Sequence, residues 1–95
     1  MRRAARRDAN HATLREGLRV RGYWVRDTGD LGNGWPDLAV RDPRSGVVKF
    51  LEIKDPAKPP SARKLTPAEE EVRDLLGDLY VVVETLQDAL DAMTC

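Results

Sequence analysis

Three residues carry side chains whose types and spacing suit chemistry: Asp37, Glu52 and Lys54. Glu52 and Lys54 stand two apart in the run Val47-Val48-Lys49-Phe50-Leu51-Glu52-Ile53-Lys54. In a strand, residues two apart point to one face, so the carboxylate and the ammonium lie side by side while Ile53 faces the core. Charges at the end of an apolar strand lose solvation unless they are paired or hold an ion. Asp37 follows Pro36 at the start of the preceding strand. If residue 40 pairs with about residue 49, Asp37 is brought close to Glu52. Two rigid carboxylates are what a hard divalent cation such as Mg²⁺ needs, with several waters retained. A lysine beside the ion would orient a water. Such a set suits phosphodiester hydrolysis, because the ion also neutralises phosphate charge in the transition state. The plainer alternative is an ion pair, Glu52–Lys54 or Asp37–Lys54, at a strand edge.

The elements that must position these residues follow from local signals. A first helix is expected from an Asp8 cap, with Leu14, Leu18 and Arg21 at amphipathic spacing, ended by Gly22. Tyr23 to Arg26 reads as a strand, and Gly29 to Gly34 as a turn. Leu38 to Arg41 and Val47 to Lys54 read as a hairpin around Asp42-Pro43-Arg44-Ser45-Gly46. Three prolines between Pro56 and Arg63 demand a loop. Thr66-Pro67-Ala68-Glu69 has the form of a capped helix start with a capping box, and Gly77 closes that helix. Leu79 to Val83 is a fourth strand. Its apolar run and that of residues 47–54 read as the central strands. Thr85 caps a last helix with Leu86, Ala89, Leu90 and Met93. The order α-β-β-β-α-β-α predicts a small mixed α/β sheet in one domain, with a right-handed crossover joining the last two strands.

The motifs Gly34-Trp35-Pro36-Asp37-Leu38 and Phe50-Leu51-Glu52-Ile53-Lys54 resemble the PD-(D/E)xK nuclease signature, and the element order is similar to that restriction-endonuclease-like core. The details are most similar to small stand-alone VRR-NUC proteins, many of them encoded by phages. Leu65-Thr66-Pro67-Ala68-Glu69, with Gly77 after it, resembles that family's second-helix start. The resemblance spans residues 8–93, with an extra C-terminal helix and a basic tail over residues 1–7. It implies a metal-dependent DNA endonuclease, with a preference for junctions or flaps in view. Asp37, Glu52 and the Ile53 carbonyl would bind Mg²⁺ or Mn²⁺, and Lys54 would position the attacking water. Two positions depart from the pattern: Asn10 stands where the family often has a glutamate, and Glu69 where it commonly has glutamine. Glu69 would face the site or only complete the capping box. By analogy a homodimer is expected. The alternative is an inactive nucleic-acid-binding or adaptor module that keeps the fold.

Charge looks unhelpful at first: sixteen basic against sixteen acidic residues, net +0. The zero conceals a gradient. Residues 1–26 carry eight Arg against Asp8 and Glu16 for +6, residues 27–64 are at +1, and residues 65–95 are at −7, with Arg73 the sole base. Such asymmetry is a signal of polyanion binding at one end. Candidate phosphate contacts are Arg6 and Arg7 in the tail, and Lys58, Ser61, Arg63 and Lys64 beside the Pro-rich loop. The acids of the last two helices are assigned to the side away from DNA. Trp24 is read as packing, with base stacking as the alternative, and His11 as a helix-surface residue. The single cysteine, Cys95, excludes a disulfide frame and a cysteine zinc site. No apolar run approaches a membrane span and no motif calls for a nucleotide cofactor. The expected compartment is the cytoplasm, the host's for a phage protein.

Overall fold

The computed structural model describes residues 10–94. Asp8, Arg6, Arg7 and Cys95 lie outside the described residues. Helix α1 spans Asn10–Val20, strand β1 Trp24–Asp27, β2 Leu38–Arg41, β3 Val48–Ile53, helix α2 Pro67–Leu76, β4 Tyr80–Val83 and helix α3 Leu86–Met93. Each expected element is present, with boundaries moved by one or two residues. Short 3₁₀ turns at Gly29–Leu31, Pro60–Arg63 and Gly77–Leu79 tighten the connections.

The sheet order is β1-β2-β3-β4. The first three strands form an antiparallel meander, and β4 lies parallel to β3 after the crossover through α2. Val40 pairs with Lys49 and Leu38 with Leu51, the register on which the site depends. One face of the sheet carries Val25, Leu38, Val40, Leu51, Ile53 and Val83, which close on Leu14 and Leu18 of α1 and Ala89 and Met93 of α3. Gly17 allows the α1–α3 contact, since a Cβ there would stand 2.8 Å from Leu86 Cδ2.

Both capping boxes form as the sequence implies. Thr66 Oγ1 accepts from the Glu69 amide at 3.2 Å and Thr85 Oγ1 from the Asp88 amide at 3.1 Å. Three readings are corrected. Strand β4 is at the sheet's edge, not central, and Val82 is 41% exposed. Its run is apolar because α3 packs on one of its faces and α2 on the other. His11 is buried, not on the surface, and its Nε2 lies 3.0 Å from Asp27 Oδ2, tying α1 to β1. Trp24 is 52% exposed rather than packed in the core, and the Arg26 guanidinium lies 5.9 Å from its ring centroid. Trp35, by contrast, packs edge-to-face on Phe50 with centroids 5.7 Å apart.

The loop ahead of β2 is held at both ends. Thr28 bonds Asp37 O through its amide and Pro36 O through its hydroxyl, both at 2.8 Å. Gly34, at φ 81°, lies against the first turn of α2, where a Cβ would overlap the Ala68 carbonyl and come within 2.7 Å of the Glu69 amide. Backbone conformation and space both exclude a side chain there. Gly34→Ala is therefore expected to cost about 2 kcal/mol or more, read as a lowered urea midpoint. A parent-like midpoint would show that the loop does not dock this closely.

Candidate active site

Strand β2 begins at Leu38, and the main-chain ladder with β3 ends at the Leu38–Leu51 pair. Just outside that pair, the Asp37 amide donates to Leu51 O at 2.9 Å, and the Ile53 amide donates to Asp37 Oδ2 at 2.8 Å. The carboxylate thus takes the amide beyond the last ladder pair, and this fixes Asp37 beside Glu52. Alternation along β3 turns Glu52 and Lys54 away from the helix-covered face that buries Leu51 and Ile53.

Glu52 is only 5% exposed. Lys54 Nζ lies 3.5 Å from Glu52 Oε2 and donates to Glu69 Oε1 at 3.0 Å. The Glu52–Lys54 contact offered as the plainer alternative is therefore present, but Glu69 is the nearer partner of Lys54. Glu69 also resolves the choice posed by the sequence. The same Oε1 accepts from the Thr66 amide at 2.9 Å, so this carboxylate completes the capping box and faces the site at once. The acids of α2 are accordingly not all on a remote side, as charge counting implied.

Charge is distributed unequally among the three carboxylates. Burial pushes Glu52 up to about 9, and the Asp37 and Glu69 charges push in the same direction against Lys54. Burial also raises Glu69, but the Thr66 amide and Lys54 outweigh it and hold Glu69 below its ordinary value. Burial lowers Lys54, but the Glu69 hydrogen bond and the Glu52 charge more than offset that, so Lys54 remains protonated. The cluster holds an ionic Lys54–Glu69 pair and a protonated Glu52. Tyr80, across from Phe50 on β4, has its buried hydroxyl without a hydrogen-bond partner among the described residues. Burial, then the charges of Glu52, Glu69 and Asp37, raise its pKa well above the usual range.

Asn10 reaches the site through main chain. Its Nδ2 donates to Lys54 O at 3.2 Å and Glu84 O at 2.8 Å, clamping the ends of β3 and β4 to the start of α1. Its Oδ1 is buried without a partner among the described residues. Asp37, Glu52, Ile53, Lys54, Asn10 and Glu69 are thus brought together. Lys58, Ser61 and Lys64 are exposed on the connection after β3. Arg63 is turned to Glu84, at 3.1 Å. Thr28, which holds the main chain at Pro36 and Asp37, and Tyr80, whose hydroxyl lies near the cluster, carry no signal in sequence because neither stands in a motif.

The donor set suits a hard divalent cation. Asp37 and Glu52 sit at adjoining strand positions, and a buried carboxyl that is costly to ionise alone gains most from a dication beside it. Among the described residues no cluster of three or more His, Cys, Asp or Glu has metal-holding geometry. A cation here would rest on two carboxylates, main-chain oxygen and water, the pattern of Mg²⁺.

Element order and register describe a mixed α/β domain, a four-stranded sheet flanked by helices. No family model matches the chain, and no curated protein matches it. A solved structure of a VRR_NUC domain does, with a TM-score of 0.57 and 28% identity over 87% of this chain and 88% of that one. The chain is a VRR-NUC-like domain in fold. No helix among the described residues is long and apolar enough to cross a membrane.

Glu52 gives this site a pH signature. Its folded pKa lies above its unfolded value, so without metal it contributes stability that is complete below about 4.5 and is lost as pH rises toward about 9. Glu52→Gln should therefore raise the melting temperature of the metal-free protein at pH 8 by several degrees and flatten its fall from pH 5 to 9. A melting curve for this variant that tracks the parent at every pH would contradict the assignment of the proton.

Proposed function

We propose that the chain is a metal-dependent nuclease that hydrolyses phosphodiester bonds in DNA. The observation that carries this reading is the convergence of Asp37, Glu52 and Lys54 beside the last β2–β3 ladder pair. The similarity to a VRR_NUC domain supports it.

Asp37 and Glu52 would hold Mg²⁺ or Mn²⁺, with the Ile53 carbonyl as a further ligand. When bound, the ion supplies Lewis acidity and charge neutralisation at the phosphate. The protein's own groups do the rest. Asp37 is locked through its carboxylate by the Ile53 amide and through its main-chain oxygen by Thr28, so its carboxylate would hold a cation without reorganising. Lys54, kept cationic by Glu69, only donates hydrogen bonds and would orient the attacking water toward the phosphorus. Glu69 positions Lys54 and does not itself touch substrate. Asn10 is a positioning residue as well: its Nδ2 is spent on two main-chain carbonyls, and a neutral amide adds no charge to the site. Lys58, Ser61 and Lys64 supply sequence-independent phosphate contacts, and Arg6 and Arg7 are assigned the same part. A second copy of the chain would extend the DNA footprint.

Two experiments test the reading. In a plasmid-nicking assay with Mg²⁺ or Mn²⁺, Asp37→Ala and Lys54→Ala should each lose roughly 100-fold or more in rate, with circular dichroism unchanged. Parent-level cleavage by either variant refutes the site. Calorimetry of Mg²⁺ binding at pH 7.5, repeated in buffers of different ionisation enthalpy, should show about one proton released per ion, because Glu52 is protonated beforehand. Uptake that persists unchanged in Asp37→Ala would place the ion elsewhere.

A further inference from the structure

The sheet face that carries the site continues past it. Strand alternation and pairing put Trp24, Arg26, Ala39 and Arg41 on the same face as Asp37: Trp24 lies opposite Arg41, and Arg26 opposite Ala39. The inward partners Val25, Leu38 and Val40 are buried on the other side, under α1 and α3. Helix α2 covers the β4 end of this outer face. At the β1 end, Trp24, Arg26 and Arg41 are all exposed.

Composition at that end is unusual for a surface with no task. A tryptophan 52% exposed forgoes burial that a core position would give it. Both guanidiniums lack a carboxylate partner among the described residues, although acids are adjacent in sequence. Asp27 points to the other face and binds His11 and Arg15. Asp42 is taken by Arg44. The local acids are thus neutralised by other cations, and the β1 end of the outer face is left with two positive charges and one flat ring. The Arg26 guanidinium lies 5.9 Å from the Trp24 centroid, which holds ring and charge together. From Asp37 to Arg41 is four residues of strand, about 13 Å at ~3.3 Å per residue. That equals about four stacked nucleotides at ~3.4 Å each.

We infer that this face is a track for an unpaired stretch of the DNA substrate, with a base stacked on Trp24 and phosphates on Arg26 and Arg41. The occupant is a single strand because a base inside a duplex has no free face to offer an indole on a flat sheet, whereas ring-plus-guanidinium platforms take unpaired bases of any sequence. The inference rests on the nuclease reading for the identity of the polyanion. It narrows the substrate class to DNA with a single-stranded segment a few nucleotides from the cut.

Binding is measured by fluorescence anisotropy in EDTA, so that neither metal nor cleavage enters. The probes are a labelled oligothymidine and a blunt duplex of equal length. Trp24→Ala should weaken oligothymidine binding roughly tenfold or more and duplex binding by less than threefold, and Trp24→Phe should restore most of the loss. Arg26→Ala and Arg41→Ala should each reduce the salt slope of single-strand binding by about one. In a Trp35→Phe background, oligothymidine should quench the remaining indole fluorescence. The inference is overturned if Trp24→Ala binds oligothymidine within twofold of the parent, or if duplex binding falls equally. Trp24 is exposed at the β1 end, so loss of folding is not a confounder, and circular dichroism checks it. Loss of single-strand binding in Trp24→Ala alongside an inactive parent would leave this surface standing and remove the nuclease reading. Cleavage by the parent with no effect of Trp24→Ala removes this inference alone.

Discussion

The register between β2 and β3 is the constraint on which both core and site rest. Side chains alternate along a strand, so a slip of one residue moves every side chain to the opposite face. With Leu38 opposite Leu51, the apolar set Leu38, Val40, Leu51 and Ile53 faces α1 and α3, and Glu52 and Lys54 face outward beside Asp37. A slip would bury the charged pair under two helices and expose four core residues. The hydrophobic effect that builds the core therefore places the carboxylates, with no separate energy needed for alignment. The Asp37 carboxylate reinforces this choice by accepting the Ile53 amide, a bond that exists only in this register. A chemical residue here doubles as a register pin.

The second requirement is that three carboxylates and one ammonium share a site that is largely withdrawn from water. Burying four full charges would be costly. The protein avoids it by dividing the work. Glu69 is ionised because a helix N-terminus and Lys54 both stabilise its charge. Glu52 is protonated because it lies deepest and feels the other two acids. The capping box of α2 thus has an electrostatic consequence at a distance in sequence. It supplies the anion that keeps Lys54 charged, and this leaves Glu52 available for a cation rather than tied in a permanent pair. Gly34 belongs to the same arrangement, since it lets the loop before Asp37 touch the turn that carries Glu69.

Much of this was legible in the chain because it depends on local signals. The capping residues Thr66 and Thr85, the Pro67 start, the hairpin turn and the spacing of Asp37, Glu52 and Lys54 each state a short-range physical preference, and the structure realises them. What was not legible depends on long-range packing. His11 looks like a surface residue in sequence because Leu14 and Leu18 define the helix stripe. It is buried because the helix start meets Asp27 at the end of β1. Trp24 reads as core because tryptophan usually is, yet alternation puts it on the face that no described helix covers at the β1 end. The run of β4 reads as central because it is apolar on both sides. An edge strand clamped between two helices has the same pattern, and no single-strand signal tells the two apart. The double role of Glu69 was posed as a choice because sequence spacing treats a cap and a site residue as rivals. One oxygen accepting two donors serves both.

The uneven covering of the sheet also settles how its charge gradient should be read. Helices α1 and α3 close one face along its whole width, whereas α2 covers the other only toward β4. The site lies at the margin of that cover. Glu52 is therefore buried, which raises its pKa, while the adjoining β1–β2 surface stays exposed. Net charge counted by sequence segment blurs this division, because β1 and β2 fall in different segments and the acids of α2 are counted together. Counted by face, Asp88 and Asp91 of α3 lie with the helices on the closed side, Asp27 and Asp42 are neutralised locally, and Glu69 is spent on Lys54. Among the described residues the open face keeps two guanidiniums without a carboxylate partner, beside a carboxylate cluster whose chemistry suits a divalent cation. A protein of zero net charge can attract a polyanion when the acids near one surface are bound to local cations and that surface keeps spare bases.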